Sequence, residues 1–166
     1  MMNNNPQKLI AGRYHVVPRT LILVFSNGQV LLQKAAATKK IWAGKYNGLG
    51  GHIEKGEDIL SSARRELHEE AGIECRDLHL FGTVMIDVDQ NEGILMFVFA
   101  GFEPEKDVRS SEEGQLEWAE IAKVDTLHVV EDIPMLIEKV IHAMPGELFH
   151  GHYGYDEKGQ LTARFS

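Results

Sequence analysis

The segment from Asp58 to Gly72 narrows the possible folds more than any other part of the chain. It reads as a helix with one apolar side and one side crowded with carboxylates. Asp58 is a good N-cap residue, and Gly72 stands where a left-handed helix stop is expected. Between them Leu60, Ala63, Leu67 and Ala71 recur at helical spacing and form one apolar stripe. Glu66, Glu69 and Glu70 lie beside that stripe, within an arc of roughly 100°. The helix is therefore expected to pack on a sheet and hold its carboxylates at the rim of a groove. Like charges this close repel, and a multivalent cation relieves the repulsion. Ligands that are all oxygen favour a hard ion, Mg²⁺ or Mn²⁺.

The approach to this helix is the glycine-rich run Asn47-Gly48-Leu49-Gly50-Gly51. The backbone carbonyl of Gly50 or Gly51 is a further candidate oxygen ligand. Glu57 precedes Glu66 by nine residues, which on a continuous helix would set it on the opposite side. It is expected in the loop instead, acting on the metal through water or through another ligand.

The remaining elements define an α/β fold. Thr20 to Phe25 is a continuous apolar run, as in a strand buried on both faces. Asn27-Gly28 signals a hairpin, with Val30 to Leu32 returning. Residues 78–88 and 94–102 read as strands joined by a turn, and 116–118 as a short strand. Residues 133–144 read as an amphipathic helix with Ile133, Leu136, Ile137, Val140 and Ile141 on its apolar side. The tail reads as a hairpin, 148–155 and 160–165. Many strands with two well-spaced helices predict a mixed β-sheet covered by helices. Residues 1–12 read as a flexible arm and 13–166 as a single domain.

A net charge of -8 argues against a nucleic-acid polymer or an anionic membrane as partner. It is compatible with a small phosphorylated ligand, because bound cations reverse the local field. Cys75 is the only cysteine, so an intramolecular disulfide is impossible. The polar opening Met1-Met2-Asn3-Asn4-Asn5-Pro6 lacks the apolar core of a signal peptide, and no run is long enough to span a bilayer. The expectation is a cytoplasmic monomer or homodimer.

The spacing of Gly51, Glu57, Arg65-Glu66-Leu67, Glu69-Glu70 and Gly72-Ile73 resembles the Nudix box at every defined position. That pattern is glycine, five residues, glutamate, seven residues, arginine-glutamate-aliphatic, one residue, glutamate-glutamate, one residue, glycine-aliphatic. The resemblance implies an α/β/α sandwich and a metal-dependent hydrolase of phosphoanhydride bonds. It implies that Arg65 holds the glutamates in position by ion pairing. For the general base it leaves two sources, a box glutamate or a distant loop. Glu66 is the first candidate and Glu113 the second, with its neighbour Glu112 an alternative.

Asn47-Gly48-Leu49-Gly50-Gly51, preceded by Trp42-Ala43-Gly44-Lys45-Tyr46, resembles the 8-oxo-dGTP diphosphatase (MutT-like) branch, as does Phe149-His150-Gly151. The likeness implies that Asn47 reads a purine and that acidic residues near the last helix, Glu131 and Asp132, assist it. A turn role for Asn47 and helix N-terminal charge pairing for Glu131 and Asp132 are the alternatives. The implied reaction converts a nucleoside triphosphate, favourably an oxidised purine such as 8-oxo-dGTP, to the monophosphate and pyrophosphate. Hydrolysis of another nucleoside diphosphate derivative and non-hydrolytic nucleotide sensing are the competing readings; the intact box glutamates count against the sensor. Lys34, Lys39, Lys40 and Lys45 are either phosphate contacts or a solvated basic loop. His150 and His152 alternate along one strand face, as a metal pair or as surface residues of a hairpin. Trp118 and Phe149 are base-stacking or core aromatics.

Overall fold

A computed structural model describes residues 10, 12–38, 41–102, 108 and 114–166. Most of the arm expected over 1–12 lies outside the described residues, as do Lys39, Lys40, Glu112 and Glu113. The strands are β1 (His15–Ser26), β2 (Gln29–Ala35), β3 (Tyr46–Asn47), β4 (His79–Asp87), β5 (Glu92–Phe102), β6 (Gly114–Glu120), β7 (Phe149–Tyr155) and β8 (Leu161–Phe165). The helices are α1 (Ile59–Ala71) and α2 (Ile133–Ile141), with a 3₁₀ turn at Ile121–Thr126.

All eight strands join one sheet in the order β3-β2-β1-β5-β4-β7-β8, with β6 on β2. The β1–β5 and β4–β7 pairs are parallel and the rest antiparallel, so the sheet is mixed, as expected. The hairpin expected at Asn27-Gly28 is present, with φ of 50° and 75°, the two left-handed residues of a type I′ turn. β1 is buried on both faces. Ile22 and Val24 pack with Ala63, Leu67 and Ala71 of α1. Leu21, Leu23 and Phe25 pack with Ile133, Leu136, Ile137 and Val140 of α2. This alternation makes the three layers, helix on sheet on helix.

Helix α1 forms as its sequence dictates. The Asp58 carboxylate accepts the N–H groups of Leu60 and Ser61, each at 2.9 Å, and Gly72 closes the helix at φ 67°. Helix α2 stops at Ile141, short of the expected Met144. Met144 precedes Pro145, and a residue before proline is driven out of helical conformation. Two elements escaped the sequence reading: two-residue β3 and the 3₁₀ turn, both too short to carry a hydrophobic period.

The arrangement of β1, β2 and residues 46–52 positions the site. β6 pairs along one edge of β2 from Gln29 to Ala35. On the other edge β1 pairs with residues 29–31, and β3 with Gln33 and Lys34. Beyond β3 the chain bridges back to β1 at Leu49–Ile22 and His52–Arg19. Residues 46–52 thus lie as a wedge between two diverging strands, and the glycine-rich run is held by backbone bonds from both sides. Among the described residues no helix is long and apolar enough to cross a membrane.

Candidate active site

The wedge brings Gly50 and Gly51 against the carboxylates of α1. The Glu70 carboxylate, 7% exposed, accepts the Gly50 N–H at 2.8 Å. Gly50 sits at φ 125°, and a Cβ there would lie 2.3 Å from the Thr20 carbonyl oxygen, so only glycine fits. Gly51 has no unusual φ, yet its missing side chain matters as much. A Cβ would fall 2.5 Å from Oε1 of Glu66, so this carboxylate lies directly on the loop backbone. Thr20 completes the junction: its N–H donates to the Gly51 carbonyl at 2.9 Å, and its hydroxyl accepts the Gly51 N–H at 3.3 Å. Of the two carbonyls considered as ligands, that of Gly51 is therefore engaged with β1.

Arg65 is the hub of the cluster. Its Nε and Nη2 donate to the two oxygens of Glu57 at 2.6 and 3.0 Å, a two-point clasp. Its Nη1 donates to Glu66 at 2.8 Å and to Glu69 at 3.0 Å. Its Nη2 also reaches the His52 carbonyl at 3.2 Å and the Ser62 hydroxyl at 3.3 Å. Glu57 stands in the loop, as expected, and also accepts the Glu54 N–H. The Arg65 guanidinium and that N–H lower its carboxyl to about 2. The same bonds raise Arg65 above its ordinary range. Three carboxylates, Glu57, Glu66 and Glu69, share this one guanidinium, with Glu70 close by on the Gly50 N–H.

Among the described residues no three His, Cys, Asp or Glu side chains stand together at metal-binding spacing. Arg65 draws Glu66 and Glu69 to itself, while Gly50 holds Glu70. The donor set nevertheless suits a hard divalent ion. It is all oxygen, strongly anionic, and gathered on one loop-helix junction where Glu66 is only 13% exposed.

The residues expected to meet a base are drawn together by a second junction. Tyr46 donates its N–H to the His128 carbonyl at 2.8 Å and accepts the Val130 N–H at 2.9 Å. This sets Asn47 beside the segment carrying Glu131 and Asp132. The Asn47 side-chain oxygen accepts the Gly48 N–H at 2.9 Å, the turn bond, which leaves its amide donors. Glu131 pairs with Lys45, which lowers its carboxyl. Asp132 caps no N–H of α2, and burial, with Glu131 nearby, pushes its carboxyl up to about 6. Lys34 pairs with Tyr46 in register, and its ammonium lies 5.3 Å above the Tyr46 ring, whose hydroxyl donates to Glu117. A cavity of about 530 Å³ borders Glu131, lined also by Trp42, Met135, Tyr155, Leu161 and Ala163. A larger one of about 660 Å³, beside His142, Leu148 and Phe149, contains none of the cluster.

His150 bonds Thr83 at 3.0 Å, whereas His152 lies between Asp87 and Arg164 at 3.0 and 3.1 Å, so the two histidines have separate partners. Trp118 and Phe149 pack against the two cores. Sequence reasoning missed Thr20, Arg19 and His52, because nothing local marks a strand residue that will meet a loop some thirty positions on.

The NUDIX domain family profile matches residues 15–140. An oxidized purine nucleoside triphosphate hydrolase of Danio rerio is 32% identical over 125 residues, 72% of this chain and 79% of that protein. One of the same description from Mus musculus is 28% identical over 149 residues, 87% of this chain and 90% of that protein. The crystal structure of the Mutator MutT protein from Bacillus halodurans superimposes with a TM-score of 0.77 at 27% identity, covering 91% of this chain and 98% of that one. The chain belongs to the NUDIX family. It is a hydrolase of phosphoanhydride bonds, in a family that works with a divalent metal ion.

Proposed function

We propose that the protein hydrolyses a nucleoside triphosphate, with an oxidised purine such as 8-oxo-dGTP favoured, to the monophosphate and pyrophosphate, using Mg²⁺ or Mn²⁺. The observation that carries this is the Glu66 carboxylate lying on the Gly51 backbone while Glu70 grips Gly50. That geometry gathers carboxylate oxygens at one point of the groove rim. Glu66, Glu69, Glu70 and the Gly50 carbonyl would hold the ion. When bound, it neutralises phosphate oxygens and makes water more acidic. Glu66 takes a proton from the attacking water. The water oxygen bonds to one of the two phosphorus atoms flanking the α–β bridging oxygen as the bond from that phosphorus to the bridge breaks, and the other phosphate group leaves with that electron pair, giving monophosphate and pyrophosphate. Glu113 is the second candidate for this proton. Arg65 and Glu57 fix the orientation of Glu66 and Glu69 and touch no reacting atom.

The oxidised-purine reading is supported by the Danio rerio and Mus musculus relatives. It is supported also by the side chains around the Tyr46 junction. Asn47 has free amide donors, and the raised Asp132 carboxyl carries a proton over part of the neutral range, so the pair offers donors and acceptors to a purine edge. The test is a panel of ordinary and oxidised nucleoside triphosphates and other nucleoside diphosphate derivatives with Mg²⁺, with products separated by anion exchange. Release of monophosphate and pyrophosphate, fastest from an oxidised purine, is expected. Glu66→Gln should lower turnover by about 10²- to 10⁴-fold. Binding without turnover in the unaltered protein would overturn the reading.

A further inference from the structure

Arg19 and His52 form a pair that the chemistry above leaves unused. They face each other across the bridge between β1 and the wedge. Nε and Nη2 of Arg19 lie 3.1 and 2.8 Å from Nε2 of His52. A guanidinium only donates, so this nitrogen is the acceptor. The His52 carbonyl accepts from Arg65 on its other side, so one residue connects Arg19 to the hub of the glutamate cluster. Arg19 also sits one residue from Thr20, whose backbone and hydroxyl fasten Gly51.

The sheet face is equally informative. Arg19 is in register with Met96 of β5, and Met96 belongs to the core under α2. Arg19 therefore shares the face that carries Leu21, Ile86, Ile94 and Tyr153, the face to which Leu161 and Ala163 of the 530 Å³ cavity also belong. A nucleotide with its phosphates at Glu66 would meet the Gly51–His52 backbone, and β1 is fastened to both of these residues, to Gly51 through Thr20 and to His52 through Arg19. Among the described residues Arg19 pairs with no carboxylate; its side chain donates to a ring nitrogen of His52. A permanent cation left without an anion, with three further N–H donors and an orientation fixed by His52, is equipped for a phosphate.

We infer that Arg19, oriented by His52, binds the polyphosphate of the substrate beyond the phosphate that the product monophosphate retains, and so selects triphosphates over monophosphates. This rests on the nucleoside triphosphate reading above. Arg19 is the contact; His52 is a positioning residue that acts through it.

The experiment is calorimetric binding of an imido-bridged, non-hydrolysable deoxyguanosine triphosphate and of deoxyguanosine monophosphate, both with Mg²⁺. Wild type is compared with Arg19→Ala, Arg19→Lys, His52→Ala and His52→Gln, and thermal melts verify folding. Arg19→Ala should weaken the triphosphate roughly 10- to 100-fold and the monophosphate less than about twofold. Arg19→Lys should recover part of the loss. His52→Ala should weaken the triphosphate by a smaller factor, and His52→Gln, which keeps a neutral acceptor, should restore it. Equal losses for both nucleotides, or no loss in a folded Arg19→Ala protein, would overturn the assignment while leaving the hydrolase reading intact. Failure of the wild type to bind the triphosphate analogue would overturn both.

Discussion

Replacing Gly51 with alanine separates the geometry of the site from the stability of the fold. The added Cβ would lie 2.5 Å from Glu66 Oε1, 2.7 Å from its carboxyl carbon and 2.9 Å from Oε2. Ordinary contact needs about 3.4 Å, so the carboxylate must retreat by close to 1 Å. The obstacle is the far end of a flexible side chain, and Gly51 is not at positive φ, so the backbone tolerates alanine. The stability change should stay within about 1 kcal/mol, with the loss of unfolded-state freedom acting as a partial offset. A misplacement of about 1 Å in a reacting group costs on the order of 10² in rate. Gly51→Ala should therefore melt within a few degrees of wild type and lose about 100-fold in kcat/KM. Gly50→Ala is the control. Its Cβ would meet the Thr20 backbone at 2.3 Å from a φ of 125°, and backbone cannot swing aside. That variant should lose well over 1 kcal/mol, because alanine is strained at positive φ even before the clash is counted. The assay is a thermal melt beside steady-state hydrolysis for both variants. A Gly51→Ala protein with full activity, or one whose activity falls only in proportion to its melting temperature, would refute the reasoning.

Glu57→Gln should free Arg65 and reduce kcat/KM without unfolding the protein. Because Glu57 is depressed to about 2 in the folded state, its stabilisation is present above the ordinary carboxylate range and lost as pH falls toward 2. Urea melts of wild type and Glu57→Gln should therefore differ at pH 6 and converge near pH 2. Asp132 has the opposite sign. Its carboxyl is raised to about 6, so its contribution is complete below the unfolded value and disappears as pH rises through 6. Asp132→Asn should flatten that part of the stability profile, and should remove any change in purine KM centred near pH 6. Asp58→Ala should cost about 1 kcal/mol by removing the cap of α1, measured by chemical denaturation.

Much of this molecule was legible because its signals are local. The Asp58 cap, the Leu60-Ala63-Leu67-Ala71 stripe and the Gly72 stop fix α1 within one stretch, and Asn27-Gly28 fixes the first hairpin in two residues. The spacing of Glu66, Glu69 and Glu70 followed from helix geometry alone. The placement of Glu57 in the loop followed from its being half a turn out of phase. What could not be read was contact between distant parts of the chain. The wedge at 46–52 carries three isolated bridges and one two-residue strand, none long enough to show a period. Lys45 was grouped with other lysines as a phosphate contact or solvated loop, yet its partner is Glu131, on the segment before α2. The position of Lys34 over the Tyr46 ring is likewise set by strand register, which no local signal carries. Arg19 and His52 are unremarkable in their own neighbourhoods and acquire a role only when β1 meets the wedge.

The most direct test of the central claim, that the carboxylates around Gly50 and Gly51 hold the divalent ion for nucleotide hydrolysis, is a Mn²⁺ titration followed by electron paramagnetic resonance. It compares the wild type with a Glu66→Gln, Glu69→Gln, Glu70→Gln protein shown to be folded by circular dichroism, both in the presence of the imido-bridged triphosphate. The account predicts saturable Mn²⁺ binding to the wild type, weakened at least tenfold in the triple variant. Equal binding by the two proteins, or none by the wild type, would contradict it.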